Sequence, residues 1–302
     1  MHKILGWLSL LFFSLPLFAL TYQIPSKDDA VVGSLKIISS KPGESLQTIA
    51  RTYEMGFDAI ALANPKVKKY GSLKPNTPIL IPAFFVLPDA PRNGIVINLP
   101  EKRLYYYLDD GLSVLTEPVT VGKEGWKTPP LKAKISQKEE DPVWRVPLSI
   151  QQEQIAAGIN PPKTFVPAGP DNPLGKYALR VGQSSILLHG TNNPYSIGKR
   201  ASHGCIRLYP EDIEELFNQV ETGTPVRIAD QPYKAGFYEG RLYLEVHPAL
   251  AESRGSVQER VKKIYDLIME TVDQQKERVN WASVKIAITR ENGIPTLIDR
   301  EE

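Results

Sequence analysis

A chain of 302 residues, 42% hydrophobic and 23% charged, is long enough for two or three domains with real cores and has the make-up of a globular protein. Its 36 lysines and arginines against 34 aspartates and glutamates leave a formal charge of +2, too small to point to nucleic acid or an anionic membrane surface as the main partner. It holds four histidines and a single cysteine, Cys205.

The N-terminus departs from this average. After Lys3, residues 4–20 are almost wholly apolar, and the polar stretch "TYQIPSKDD" follows. That layout predicts a secretory signal peptide over residues 1–19, with Ala19 as the small residue for cleavage and a mature chain starting near Leu20. An uncleaved anchor is the competing reading; Pro16 and the shortness of the apolar run weigh against it. Either way the bulk of the chain is expected outside the cytoplasm. An exported protein uses cysteines mostly in pairs, so a lone thiol is either buried and inert or kept because it reacts.

Residues 34–82 predict a compact unit in the order strand, helix, helix, strand: "SLKIIS", the turn "KPGES", the helical "SLQTIARTYEM", a short helix ending in "ALANP", and "PILIP". From Gly94 the runs "IVINL", "RLYYYL", "LSVLT" and "PVTVG", separated by "PEK" and "DDG", predict antiparallel strands and hairpins, with alternate rings of Tyr105 to Tyr107 buried. Nine prolines between Pro129 and Pro173 suit neither a central strand nor a long helix, which predicts a long, rigid loop region. "SSILLH" returns to strand. After the stretch that follows it, Pro210, Glu211 and Asp212 open a helix whose Ile213, Leu216, Phe217 and Val220 share one face, and Gly223 ends it. In residues 231–302 a capping box, Ser256 with Glu259, starts a helix with apolar Val257, Val261, Ile264, Ile268 and Val272; "VKIAI", "ENG" and "IPTLI" then predict a terminal hairpin.

The chemistry-bearing residues gather in "HGTNNPYSIGKRASHGCIRL", His189 to Leu208. A thiol attacks as its thiolate, and with an ordinary pKa near 8.5 it needs a base or a cation beside it. In an extended segment His203, two residues before Cys205, would point to the thiol's side, with Gly204 letting the backbone approach a substrate. His189, sixteen residues upstream, can face the thiol from a neighbouring strand. Residue types alone do not choose between the two imidazoles. They also leave open an inert buried cysteine, or a zinc site of two histidines and one cysteine, although no general-base carboxylate lies beside the motif.

"HGT" followed at a distance by "SHGCIRL" resembles the catalytic signature of the L,D-transpeptidases, the YkuD-type domain, over about residues 94–230 and including "VGKEGWKTPP" and "PAGPDNPLGKYAL". "PGESLQTIARTY" and "ALANP" resemble a LysM domain, a module that grips the glycan of peptidoglycan or chitin. The resemblance implies a mainly β fold with some α: a β-sandwich catalytic domain, a small βααβ LysM-like domain, and an α+β C-terminal tail. It implies Cys205 as nucleophile, His189 as general base steered by the carbonyl of Gly190, and backbone N–H groups of His203, Gly204 and Cys205 around the oxyanion. Ser202 and Arg207 would meet substrate, Arg207 through a carboxylate or by bracing the loop. The expected substrate is a peptidoglycan stem tetrapeptide, cleaved at the diaminopimelate carbonyl with loss of D-alanine. The acyl group would pass to another diaminopimelate, a lysine of an outer-membrane lipoprotein or other surface protein, a free D-amino acid, or water. No cofactor, metal or nucleotide is implied, and the expected location is the periplasm. A peptidoglycan-binding protein with an inactive catalytic domain is the alternative from another class.

Overall fold

The computed structural model describes residues 20–300. The signal-peptide reading of residues 1–19 lies outside the described residues.

The small N-terminal unit has the order read from the sequence. Strands Lys36–Ser39 and Pro78–Ile81 pair antiparallel around two helices, α1 (Leu46–Thr52) and α2 (Phe57–Ala63). Ser45 caps α1: its hydroxyl accepts from the Thr48 amide at 3.2 Å, and the Thr48 hydroxyl accepts from the Ser45 amide at 2.9 Å. Leu46, Ile49 and Ala50, spaced to share one face, are buried with Phe57 and Ile60 of α2. Asn64 of "ALANP" ends α2 and ties it to the sheet, donating to the Ile60 and Leu80 carbonyls and accepting from the Leu80 amide, each at 2.8 Å.

Among the described residues the largest sheet has nine strands, in the spatial order Leu20–Gln23, Ser113–Pro118, Arg103–Tyr107, Gly94–Asn98, Pro225–Ala229, Leu131–Glu140, Tyr177–Val181, Leu187–His189 and Ile206–Arg207. The hairpins from Gly94 to Pro118 are antiparallel as expected, but Gly94–Asn98 also takes Pro225–Ala229 as a parallel neighbour. The long strand Leu131–Glu140 pairs through its first half with Pro225–Ala229. Its second half, after a register shift between Ile135 and Gln137, pairs with Tyr177–Val181. That shift lets the sheet turn on itself, so Ile95, Ile97 and Leu104 share one core with Leu179, Leu188 and Ile206 from the other half. The three tyrosines alternate as the pleat requires: Tyr105 and Tyr107 are buried in the core shared with the N-terminal unit, and Tyr106 packs on the opposite face.

Two expectations are corrected. The proline-rich stretch is not one loop: it contains the strand Leu131–Glu140 and a helix, α3 (Leu148–Ala156). Its prolines all lie outside these elements, with Pro130 and Pro147 directly before them. The terminal hairpin is also overturned. "VKIAI" lies in a helix, after α4 (Pro210–Gln219) and α5 (Val257–Thr271), and this α6 covers Trp281–Arg290. Asn280 caps α6 by accepting from the amides of Ala282 and Ser283, and helical spacing buries Val284 and Ala287 while Ile286 stays exposed. Thr296–Leu297 pairs instead with Arg241–Val246, which is itself hairpinned to Tyr233–Tyr238.

Ion pairs and glycines fix the three parts to one another. Lys234 of the tail donates to Glu101 at 2.8 Å and lies 3.0 Å from Glu245, with all three side chains buried; Glu245 accepts from the Val86 amide at 2.6 Å. Gly198 has φ +77° and its Cα faces Gly56 so closely that an added Cβ would fall 2.3 Å from the Gly56 Cα. The N-terminal unit therefore docks backbone to backbone against the loop that leads from His189 to Cys205.

Candidate active site

His189 ends the strand Leu187–His189, which pairs in parallel with Ile206–Arg207 so that Leu188 faces Ile206 and His189 faces Arg207. This register puts Cys205, just before Ile206, alongside the strand that carries His189, as the sequence suggested. The His189 ring is buried, and its Nδ1 lies 2.7 Å from the Gly190 carbonyl oxygen. Burial lowers its pKa to about 4, the nearby Arg207 charge pushes the same way, and the backbone of Gly190 and Leu174 opposes both. At neutral pH the imidazole is therefore uncharged.

The Cys205 sulfur lies 3.6 Å from the Ser185 carbonyl oxygen. Burial pushes the thiol's pKa up, against the backbone of Leu187 and the charges of Arg207 and Arg180. At neutral pH the thiol and the imidazole are thus both uncharged.

The segment from His203 to Cys205 is a bend, which corrects the expectation of an extended strand. Gly204 has φ +110°, a conformation that favours glycine. Alternation therefore does not apply, and His203 points away toward helix α3: its Nε2 lies 2.5 Å from a Glu153 carboxylate oxygen, and its ring meets the edge of Trp126 at 4.6 Å. Glu153 also accepts from Lys123 at 2.8 Å, and these two bonds hold its carboxyl below the usual range. An ionised carboxylate only accepts, so His203 Nε2 carries the proton.

The bend is braced from inside. Ser202 is buried; its hydroxyl donates to the Cys205 carbonyl at 2.6 Å and accepts from the Gly204 amide at 3.1 Å. Both capacities of Ser202 are therefore used within the loop, and its expected contact with substrate gives way to a bracing position. The Gly204 N–H is likewise engaged, which removes it from the expected oxyanion donors, whereas the N–H groups of His203 and Cys205 donate to no other group among the described residues. Thr128 completes the brace: its hydroxyl donates to the Gly204 carbonyl at 2.7 Å and accepts from the Gly122 amide at 3.0 Å.

Arg207 is half-buried, and its buried Nε has no hydrogen-bond partner among the described residues. Its backbone is pinned to Thr120 in both directions, at 2.9 and 3.1 Å. Its side chain is thus a positive group held near His189 and Cys205. Glu153, Lys123, Trp126 and Thr128 were not singled out from sequence. "VGKEGWKTPP" carries three of them, but Glu153 lies fifty residues from His203 with no local signal to pair them. Away from the thiol, Glu101, Glu245 and His247 offer atoms within 4.8 Å of one another, a spacing that could hold an ion. The Lys234 ammonium among them already supplies the positive charge.

The L,D-transpeptidase catalytic domain (YkuD) matches residues 92–228, and the LysM domain matches residues 41–82. A protein named probable L,D-transpeptidase YbiS of Escherichia coli (strain K12) is 37% identical over 93% of this chain and 92% of its own length. The chain belongs to the L,D-transpeptidase family. Two other proteins of the same organism named as probable L,D-transpeptidases are also similar: YcfS, 41% identical over 79% of this chain and 76% of its own, and ErfK/SrfK, 35% identical over 98% and 96%. Among solved structures, the catalytic domain of the E. faecium L,D-transpeptidase is 24% identical over 47% of this chain and all of that one, with a TM-score of 0.35. Membership places this L,D-transpeptidase among transferases. No helix among its described residues is long and apolar enough to cross a membrane.

Proposed function

We propose that this chain is a cysteine-dependent L,D-transpeptidase of peptidoglycan, working in the periplasm after removal of residues 1–19. In this reading residues 34–82 bind glycan, 94–230 carry the catalysis, and 231–302 brace both. The observation that carries the reading is the parallel register that sets the buried, neutral His189 beside the bent, doubly braced turn of Cys205.

As the Cys205 sulfur attacks the diaminopimelate carbonyl of a stem tetrapeptide, its proton passes to His189, whose other ring nitrogen is steered by the Gly190 carbonyl. The carbonyl π electrons move onto oxygen, toward the N–H groups of His203 and Cys205. Collapse of this tetrahedral species breaks the bond to D-alanine, whose nitrogen takes the proton from His189, and a thioester remains. An amine, from a second diaminopimelate or from a lysine of an outer-membrane lipoprotein or other surface protein, then attacks the thioester. His189 accepts the amine's proton and returns it to the departing sulfur. Arg207, a half-buried charge near both His189 and Cys205, suits a carboxylate of the stem peptide.

Intact mass of the purified protein after brief mixing with a tetrapeptide-bearing muropeptide tests this. An acyl adduct and free D-alanine are expected with Cys205 present and absent in Cys205→Ala. Their absence from a folded, reduced protein would overturn the reading in favour of peptidoglycan binding alone.

A further inference from the structure

Between helix α1 and the catalytic unit runs a groove of about 360 Å³, with Gln47, Thr48, Arg51 and Thr52 on one wall and Tyr195 and Tyr209 on the other. Its size lies within the range of small-ligand sites, which favour junctions between domains. Both walls are fixed. The Asp58 amide donates to the Gly198 carbonyl at 3.3 Å beside the close Gly56 and Gly198 contact. Arg51 lies over the Tyr209 ring at 5.1 Å and donates to one Glu211 oxygen through Nε and Nη2, at 3.1 and 2.7 Å.

Tyr195 is the informative residue. It is 68% exposed, yet it sits on a pinned turn, where the Ser196 hydroxyl donates to the Asn193 carbonyl and Thr120 donates to the Ser196 carbonyl. An exposed ring on a pinned backbone turn, with no ring partner among the described residues, offers a stacking face. Opposite it, the Thr52 hydroxyl donates to the backbone of its own helix and so presents lone pairs, whereas the Thr48 hydroxyl both donates to and accepts from Ser45. The Gln47 amide makes no hydrogen bond among the described residues, leaving donors and an acceptor. The Arg51 charge is already matched by Glu211, so the groove is electrically balanced and does not suit a phosphate.

An aromatic face opposite amide and hydroxyl groups, without net charge, fits a pyranose ring bearing an N-acetyl group. We propose that this composite groove is a binding site for a segment of N-acetylhexosamine strand. The strand would be gripped jointly by α1 and by the loop that runs from His189, which would bring its stem peptides to the catalytic unit. This rests on peptidoglycan being the substrate, as read above, and adds where on the molecule the glycan lies.

The test is a titration of the full chain with a tetramer of N-acetylglucosamine, followed by amide NMR shifts. The expected result is perturbation at Thr48, Arg51 and Tyr195, with Tyr195→Ala weakening binding by about tenfold and Tyr195→Trp retaining it. Shifts confined to other faces of residues 34–82, an affinity indifferent to Tyr195→Ala, or no binding would each overturn the proposal. D-alanine release from a glycan-free tetrapeptide, measured in parallel, reports on Cys205 alone. Sugar binding without release would sink the acyl-transfer reading and leave the groove standing; release without groove binding would do the reverse.

Discussion

Glu153 and His203 stand 2.5 Å apart, and through that bond helix α3 is held against the turn that carries Cys205. The helix has few other anchors. Its core contacts amount to Ile150 with Val146 and Val166, flanked by Trp126 and Trp144, and Leu148 and Ile155 are exposed. Glu153→Gln would keep the shape of the side chain but lose the charge-assisted bonds to His203 and Lys123. The expected result is faster amide exchange across residues 148–156 and a donor step slowed by up to about tenfold, with the melting temperature little changed. Unchanged exchange in the variant would show that α3 is held by its small apolar cluster instead.

The pH dependence of the donor step should show His189 where burial puts it. Its pKa is lowered to about 4, so the neutral base persists well below the ordinary imidazole value of 6.5, and the acid limb of the rate should fall near pH 4. The Arg207 charge disfavours protonation of His189, so Arg207→Met should move that limb toward higher pH. A limb near pH 6.5 in the unmodified protein, or one that Arg207→Met leaves in place, would contradict this account.

Bracing of the nucleophile turn can be tested apart from the chemistry. Thr128→Val is nearly isosteric but leaves the Gly204 carbonyl and the Gly122 N–H without their partner, at a cost of about 1–3 kcal/mol for buried groups. Alkylation of Cys205 by iodoacetamide should still proceed, because the thiol itself is untouched. D-alanine release should drop by more than alkylation does, since release needs the turn's geometry and alkylation does not. Loss of release together with faster alkylation would point to general unfolding, which frees the buried thiol.

How far the sequence could be read follows from where each determinant lies. Ser45 with Thr48, Ser256 with Glu259, and Pro210 with its acidic first turn act within four residues, so the helices they start were legible. "VKIAI" was misread because its β-branched alternation is also compatible with a helix, and what decided it was the Asn280 cap and the packing of Val284 and Ala287 against the tail's strands. Prolines marked the starts of Leu131–Glu140 and α3 but were dense enough to hide what lay between them. At the site, the cluster of His189, Gly204 and Cys205 was visible because it lies within one short stretch, and the choice of His189 over His203 came from the resemblance. Glu153 was not visible, since its pairing with His203 exists only after a fifty-residue excursion folds back.

The buried pair of Lys234 and Glu101, with Glu245 beside it, binds the tail to the other two parts, and its loss should be felt by the whole chain. Lys234→Met fits a similar volume but leaves two buried carboxylates facing each other with His247, a change expected to cost about 3–5 kcal/mol in chemical denaturation. Adding Glu245→Gln should recover part of that loss by removing one stranded charge. A Lys234→Met variant as stable as the parent would mean that apolar packing of the tail, not the ion pair, joins it to the rest.

Stability should also depend on pH through the seam between α1 and α4. Glu54, Glu117 and Asp212 are buried there, with Glu54 Oε2, Asp212 Oδ2 and both Glu117 oxygens lacking hydrogen-bond partners among the described residues. Burial raises all three pKa values, and their mutual repulsion and that of Glu211 and Glu215 add to it; Arg103 and Arg51 are the opposing charges, and the buried Tyr209 hydroxyl also faces this group. Glu54 is raised to about 7 from an ordinary 4.5. A carboxyl raised on folding leaves stability intact while it is protonated in both states, below about pH 4.5. As pH rises, the unfolded chain loses its proton first, so stability falls until the folded group ionises near pH 7. Unfolding free energy should therefore decline between those values, and Glu54→Gln should flatten the slope and raise stability at pH 8. If the variant's pH dependence matches the parent's, the proton on Glu54 is not what this seam requires, and the neighbouring Glu117 or Asp212 should be exchanged for its amide in the same measurement.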